Sequence, residues 1–324
     1  MTFKERKERF DRERPVGQSA LLTFTGVDGF DVYNCSIPFC WEGKQYIYGR
    51  VERRAEWARS WVRLFERVAP DSYALVPGSM IYQLEDPYAA CIGGEMVLGG
   101  THVRMRSGNI DTVYGYFYKG RDLEDLVYFT TGPEGMKDIR LVELEDGIGV
   151  FSRPRNAKVR AEYGSESVVG FAKIPDLAAL TAEVIDNAPV VTNMFAHGEW
   201  GGCNQCYRLD SGYIGIIGHK SYPDKDADGN ELAVYTNVAF VMDPKTNGIV
   251  HEAIIATRGS YPPAPAKRPK LLDCAFTSGI VMRPDGKADL YSGVGDTMEG
   301  RAVIEDPFKG FGRIVGTTLN GIEA

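Results

Sequence analysis

From residue 20 onward the chain reads as short apolar runs broken by polar turns. The clearest runs are Leu21-Leu22-Thr23-Phe24, Gln45-Tyr46-Ile47-Tyr48, Met96-Val97-Leu98, Thr112-Val113-Tyr114-Gly115-Tyr116-Phe117-Tyr118, Ile148-Gly149-Val150-Phe151, Tyr213-Ile214-Gly215-Ile216-Ile217 and Ala288-Asp289-Leu290-Tyr291. They are rich in β-branched and aromatic residues and are punctuated by Gly, Asp and Asn, which predicts strands joined by tight turns. Five times an apolar run enters a turn and a second run leaves it. These turns centre on Gly43, Gly94, Gly147, Gly212 and Gly286. A hairpin returning roughly every fifty to seventy residues predicts an all-β chain, a single five-bladed β-propeller with a short N-terminal helix.

Three stretches carry a helical pattern instead. Residues 3–14 hold dense alternating charge ahead of Pro15, which predicts an exposed helix, either solvated or a subunit contact. In residues 53–67, Trp57, Trp61 and Leu64 recur at helical spacing, although a strand-rich excursion between blades fits nearly as well. Residues 176–186 predict a short helix or an inter-blade loop. No composition break divides the chain, so residues 1–19 are expected as lead-in and 20–324 as one closed propeller.

Composition narrows the function. The 324 residues are 44% hydrophobic and 25% charged, with a net charge of −7. That balance argues against a general nucleic-acid or membrane-surface binder. The charged first ten residues lack the apolar stretch of a signal peptide, so the cytoplasm is the expected location. Six cysteines lie mostly within apolar strand patterns and read as free buried thiols.

The chemistry lies one strand length from each turn. Asn34, Asp86, Lys137 with Asp138, Asn204, and Thr277 with Ser278 precede the five tips. Arg50, Thr101 with His102, Arg153, His219 and Asp296 follow them. Hairpins arranged radially would gather these groups at one mouth. Arg50, Lys137 and Arg153, cations from separate blades, would repel one another without an anion between them, which suits a phosphate or sugar phosphate.

Other signals weigh less. Asp224, Asp226 and Asp228 imitate the start of a calcium loop, but Tyr235 stands where a bidentate Glu is required. Cys203 and Cys206 have the spacing of half a zinc site with no second pair, so no metal is expected. A Ser-His-Asp triad has no Gly-x-Ser-x-Gly elbow to carry it.

Asn34-Cys35-Ser36-Ile37-Pro38 with Tyr48-Gly49-Arg50 resembles the first-blade motif of the mannoside phosphorylases of glycoside hydrolase family 130. Glu85-Asp86-Pro87 looks like their catalytic motif, and Val150-Phe151-Ser152-Arg153-Pro154 is similar to the close of their third blade. Gly201-Gly202-Cys203-Asn204 through Gly218-His219, and Phe276-Thr277-Ser278-Gly279 through Gly295-Asp296, resemble blades four and five. Gly132-Pro133-Glu134-Gly135-Met136-Lys137 is closer to the sister group once called domain of unknown function 1861. Members of that group resemble the β-1,2-mannosyltransferase/phosphorylases of glycosyltransferase family 108. Ser152 and Tyr88 depart from the hydrolase-family pattern, where His and Arg are common.

The resemblance implies an inverting β-mannoside phosphorylase or mannosyltransferase with a single acid, Asp86, its proton relayed through the mannosyl 3-hydroxyl. It implies sugar contacts from Asn34, Ser36, Arg50, Arg53, Asp138, Asn204 and Asp296. Phosphate contacts would come from Arg50, Lys137, Arg153 and His219. Inorganic phosphate would be co-substrate with no cofactor, and the partners would be a mannoside, mannose 1-phosphate or GDP-mannose. A homo-oligomer, an inverting hydrolase using Asp138, Glu199 or Asp296 as base, and a non-catalytic sugar-binding propeller stay open.

Overall fold

The structure, a computed structural model, describes residues 1–13 and 17–316. It is mostly β, with 51% strand and 10% helix. All five expected hairpins are present as antiparallel pairs. Phe39–Trp41 pairs with Lys44–Glu52, Glu85–Ile92 with Glu95–Arg106, and Arg140–Leu144 with Gly147–Ser152. Trp200–Arg208 pairs with Ile214–Lys225, and Ala275–Met282 with Lys287–Val294. The five turn glycines all adopt positive φ, for example 76° at Gly43 and 81° at Gly286, where a side chain would be strained.

The strands form sheets of ten, four, three and four strands among the described residues. Hairpins one and five share the ten-stranded sheet, in which Met298 and Val32 form a parallel pair. The first strand, Ser19–Leu21, pairs antiparallel with the last, Met298–Glu305, so the two meet in one sheet. Apolar side chains fill the space between neighbouring sheets. Tyr48, Phe65, Phe117, Phe151, Phe240 and Phe308 are fully buried.

The N-terminal helix, Phe3–Glu13, docks against its own chain. Phe3 is buried, while Lys7 bridges Asp11 at 3.0 Å and Asp273 at 2.8 Å. Arg6 pairs with Glu252 and Lys4 with Asp224. Pro15, expected to end this helix, lies outside the described residues.

The helical pattern over 53–67 is corrected by the structure. Residues 53–60 are loop and Trp61–Ala69 is a strand. Its alternation buries Val62 and Leu64 on one face, and that period of two outweighs the three matches at helical spacing. Residues 176–186 do turn helical. A 3-10 turn, Leu177–Ala179, is capped by Asp176, and a helix, Ala182–Asp186, is capped by Thr181. The helix Ala157–Tyr163, capped by Asn156, had no counterpart in the sequence pattern. Asp226, in the calcium-like stretch, accepts from the backbone of Asp228 and Asn230 and so caps a hairpin turn.

Candidate active site

In three of the five hairpins the ladder of the first strand breaks. In Glu85–Ile92 the register shifts between Glu85 and Tyr88, in Trp200–Arg208 between Cys203 and Gln205, and in Ala275–Met282 between Thr277 and Gly279. The skipped residues include Asp86, Asn204 and Ser278. A bulge frees a residue from the ladder and re-aims its side chain. At Asp86 the cause is local: Pro87 has no N–H to donate, and Asp86 takes φ 48°. Asn34, Asp138 and Asp296 also lie in the left-handed region, at φ 47°, 57° and 55°. Asn and Asp tolerate that conformation better than other side chains, and such outliers gather at functional sites.

The break at Asp86 opens onto a cavity of about 700 Å³. Asn34, Arg50, Asp86, Lys137, Arg153, His219 and Asp296 all line it, joined by Glu85 and Arg155. The Asp86 carboxylate is the hub. Its Oδ1 accepts from Arg50 Nη1 at 2.9 Å and Asn34 Nδ2 at 3.0 Å, and its Oδ2 stands 3.4 Å from Lys137 Nζ. Burial pushes this carboxyl up, but Lys137 and Arg50 outweigh it and hold it below its ordinary value. Asp296 accepts from the same Asn34 amide at 3.3 Å. Its carboxyl is raised, by burial and by the Asp86 charge, with Arg50 opposing.

Arg50 is largely committed to protein. It donates to Ser60 at 2.8 Å, Glu85 at 2.8 Å and Glu52 at 3.4 Å besides Asp86, and stacks on Tyr33. Buried Glu52 is further paired with Lys267 and Tyr33. Arg153 donates to the Gly201 carbonyl at 2.6 Å and to Asp138 at 2.5 Å. Gly202 leaves room for this: a Cβ there would stand 3.0 Å from Arg153 Cδ and Nε and 3.2 Å from His219 Cε1. His219 is fully buried, with Nδ1 2.8 Å from Asn204 Oδ1. Burial, then Arg153, holds its pKa well below the ordinary histidine value.

Other expected residues lie elsewhere. Asp138 has no exposed side chain and sits outside the cavity wall, between Arg153 and Arg140 at 3.9 Å, with Lys137 adjacent in sequence. Burial opposes its ionisation, but those cations hold its carboxyl far below the ordinary range. Its carboxylate neutralises those cations and does not line the cavity. Ser36 spends its hydroxyl on the Ile37 carbonyl and the Tyr48 N–H. Arg53 lies past the end of Lys44–Glu52, where the chain leaves the sheet. Its side chain is 62% exposed, over Phe30 and 3.7 Å from Glu56, off the cavity. Asn204 reaches the cavity only through His219. His102 is half-buried and stacked on Tyr116, off the cavity, and Thr277 bonds Asn237.

The sequence profile described as "Protein of unknown function (DUF1861)" matches residues 8–310. The chain belongs to the DUF1861 family. This DUF1861 member is similar to MPT-4, a mannose phosphorylase from Leishmania mexicana whose structure holds a phosphate ion. Identity is 50%, covering 98% of this chain and 96% of that one, with a TM-score of 0.92. It is 46% identical to MPT-1, a GDP-Man-dependent mannosyltransferase from Leishmania mexicana, over 98% of both chains, with a TM-score of 0.91. The β-1,2-mannobiose phosphorylase from Listeria innocua is 15% identical, over 86% of this chain and 91% of that one, with a TM-score of 0.60. That likeness is one of fold. No curated protein matches the chain.

Two lining groups of this DUF1861 member escaped the sequence reading. Glu85 stood inside the Glu-Asp-Pro motif, and burial raises its carboxyl. Arg155 follows Arg153 by two positions, a spacing that signals a second cation on the same rim. It has no hydrogen-bond partner among the described residues. Trp200, Tyr235 and Phe276 add an aromatic wall.

Proposed function

We propose that this chain is an inverting β-mannoside phosphorylase or mannosyltransferase acting on β-1,2-linked mannose, built on a five-bladed propeller spanning residues 20–324 behind the lead-in of 1–19. One observation carries the chemistry: Asp86 shares a cavity with a cationic wall of Lys137, Arg153 and Arg155. Supporting the blade count, hairpins two, three and four each lie in a sheet of their own, and hairpins one and five share the ten-stranded one. The similarity to a mannose phosphorylase at 50% identity points to the same substrate class.

Asp86 gives its proton to the bridging oxygen of the mannoside through the mannosyl 3-hydroxyl, and phosphate on the cationic wall attacks the anomeric carbon from the opposite face. The bond to the leaving sugar breaks as the bond to phosphate forms, which yields mannose 1-phosphate with inversion. Phosphate serves as co-substrate and no cofactor takes part. Lys137 and Arg50 keep Asp86 ionised in the empty site. A bound phosphate offsets their charge and lifts the carboxyl toward the protonated form that the step needs. Arg50 and Asn34 orient Asp86, and Asp296 and Asn34 receive sugar hydroxyls.

Hydrolysis fits less well. An inverting hydrolase needs a second carboxylate to activate water. Asp138 is sealed behind cations, and Glu199 lies off the cavity, paired with Lys220 at 2.7 Å. Asp296 accepts from the same Asn34 amide as Asp86, beside the acid rather than across the cavity from it. A nucleotide-sugar donor is the second reading, favoured by an outer chamber of about 640 Å³ that shares Trp200, Ala233 and Lys270 with the main cavity.

Mannose 1-phosphate offered with a panel of mannoside acceptors tests the assignment through phosphate release. Asp86→Asn, which suits the left-handed backbone, is expected to lower turnover ~10³-fold without loss of folding. Undiminished turnover in that variant removes Asp86 from its role. Sugar release in phosphate-free buffer would establish hydrolysis instead.

A further inference from the structure

His219 has two distinguishable nitrogens, and the structure treats them differently. Nδ1 faces the side-chain oxygen of Asn204 at 2.8 Å, while Nε2 is buried with no hydrogen-bond partner. A carboxamide oxygen only accepts, so Nδ1 carries the ring proton and Nε2 presents a lone pair. The charged groups around the ring are Arg153, Lys137, Arg140 and Asp138. Those sharing the cavity wall, Arg153 and Lys137, are donors, and an Nε2–H beside them would add another donor and no acceptor. Phe276 and Tyr235 flank the ring, with centroids 4.8 Å and 5.6 Å away, and Asn204 is fixed by the bulge in its own strand.

We propose that Asn204 and His219 together make the anion site select an oxyanion that still carries a proton. This rests on the phosphorylase reading and deepens it. The P–O–H of the ligand donates to Nε2, while Lys137 and Arg153 take its unprotonated oxygens. Inorganic phosphate keeps a P–O–H as monoanion and dianion, and the monoanion of a sugar 1-phosphate keeps one. Sulfate has none near neutral pH, and neither has the diphosphate of a nucleotide sugar. For those ligands Nε2 would face a bare oxygen, leaving a buried lone pair unpaired and repelled. Asn204 thus acts as a positioning residue that fixes the tautomer, and His219 as the group that reads the proton. The same rule sets a preference for phosphate over a nucleotide sugar as donor.

Titration calorimetry on the full chain, with inorganic phosphate and then sulfate, tests this directly. The wild-type protein is expected to bind phosphate ~100-fold more tightly than sulfate. His219→Gln, whose amide can turn an N–H toward the anion, is expected to shrink that ratio ~10-fold or more. With four histidines in the chain, ¹⁵N resonances of the imidazoles can be assigned by substitution. His219 should show its proton on Nδ1 in the wild-type protein and lose that preference in Asn204→Leu. Sulfate binding equal to phosphate, or a wild-type proton on Nε2, overturns the inference alone. Failure of both anions to bind overturns it together with the phosphorylase reading.

Discussion

Asp86 sits under opposed influences, and its balance is set by a single lysine at 3.4 Å and an arginine at 2.9 Å. Lys137→Met removes the largest of the charges that lower its carboxyl. With that cation gone the carboxyl rises, so the protonated donor persists to higher pH. The alkaline limb of kcat/KM should therefore move upward in the variant, while the KM for phosphate increases ~10-fold. A pH profile with unmoved alkaline limb would show that Lys137 does not set the acid. At this scale the sequence was readable where a backbone constraint accompanied the side chain. Pro87 marks Asp86 as a ladder break, and Asn34 and Asp296 stand at turns that only Asn, Asp or Gly enter readily. It misled at Ser36 and Arg53, because a polar residue near a strand end does not reveal which way the exiting chain turns. Nor did it show that Asp138, beside Lys137 in sequence, would face away from the cavity to neutralise Arg153.

The hairpin is the unit that makes the site, and its glycines matter as much as its charged ends. In Trp200–Arg208, Gly202 is cross-strand partner to His219 and lies against the Arg153 side chain. Gly202→Ala would place a methyl 3.0 Å from Arg153 and 3.2 Å from the imidazole, closer than ordinary packing allows. Both neighbours are side chains, so they can shift while the sheet holds. The expected outcome is a ~10-fold higher KM for phosphate, the loss of one charge-assisted contact, with a thermal midpoint changed by only a few degrees. An unchanged KM would mean that the two residues tolerate displacement and are not set by this strand. Apolar runs on either side of a turn glycine located all five hairpins, and most of their strands are buried along nearly their whole length. The pattern misled at 53–67, where Trp57, Trp61 and Leu64 match a helical period although Trp57 lies in a loop and only Trp61–Ala69 is strand. The bulges at Asn204 and Ser278, with no proline beside them, were invisible.

At the scale of the whole molecule the strands Ser19–Leu21 and Met298–Glu305 are fastened at one seam, and Glu299 lies within it. Its side chain accepts from the Cys35 N–H at 3.0 Å and the Ser278 hydroxyl at 2.8 Å, and its carbonyl accepts from Leu22. The last strand is thereby tied to the first and to the fifth hairpin, a closure that no local pattern encodes. Burial pushes the Glu299 carboxyl up to about 7 from 4.5, against the pull of those hydrogen bonds. Below the lower value both folded and unfolded chains hold the proton, and Glu299 has no effect on the pH dependence. Between the two values the folded chain keeps a proton that the unfolded chain has released, so stability falls as pH rises. Above about 7 the seam carries a buried charge, at a cost on the order of 3 kcal/mol. Glu299→Gln keeps an oxygen for the Cys35 N–H and never ionises, and the Ser278 hydroxyl can rotate to accept from its amide. The stability difference between variant and wild type should therefore swing in the variant's favour from pH 5 to pH 8, by up to that amount. Denaturant midpoints for both proteins at the two pH values measure it. A difference that stays flat across the interval would show that Glu299 is ionised throughout and that the seam is wetter than its burial indicates.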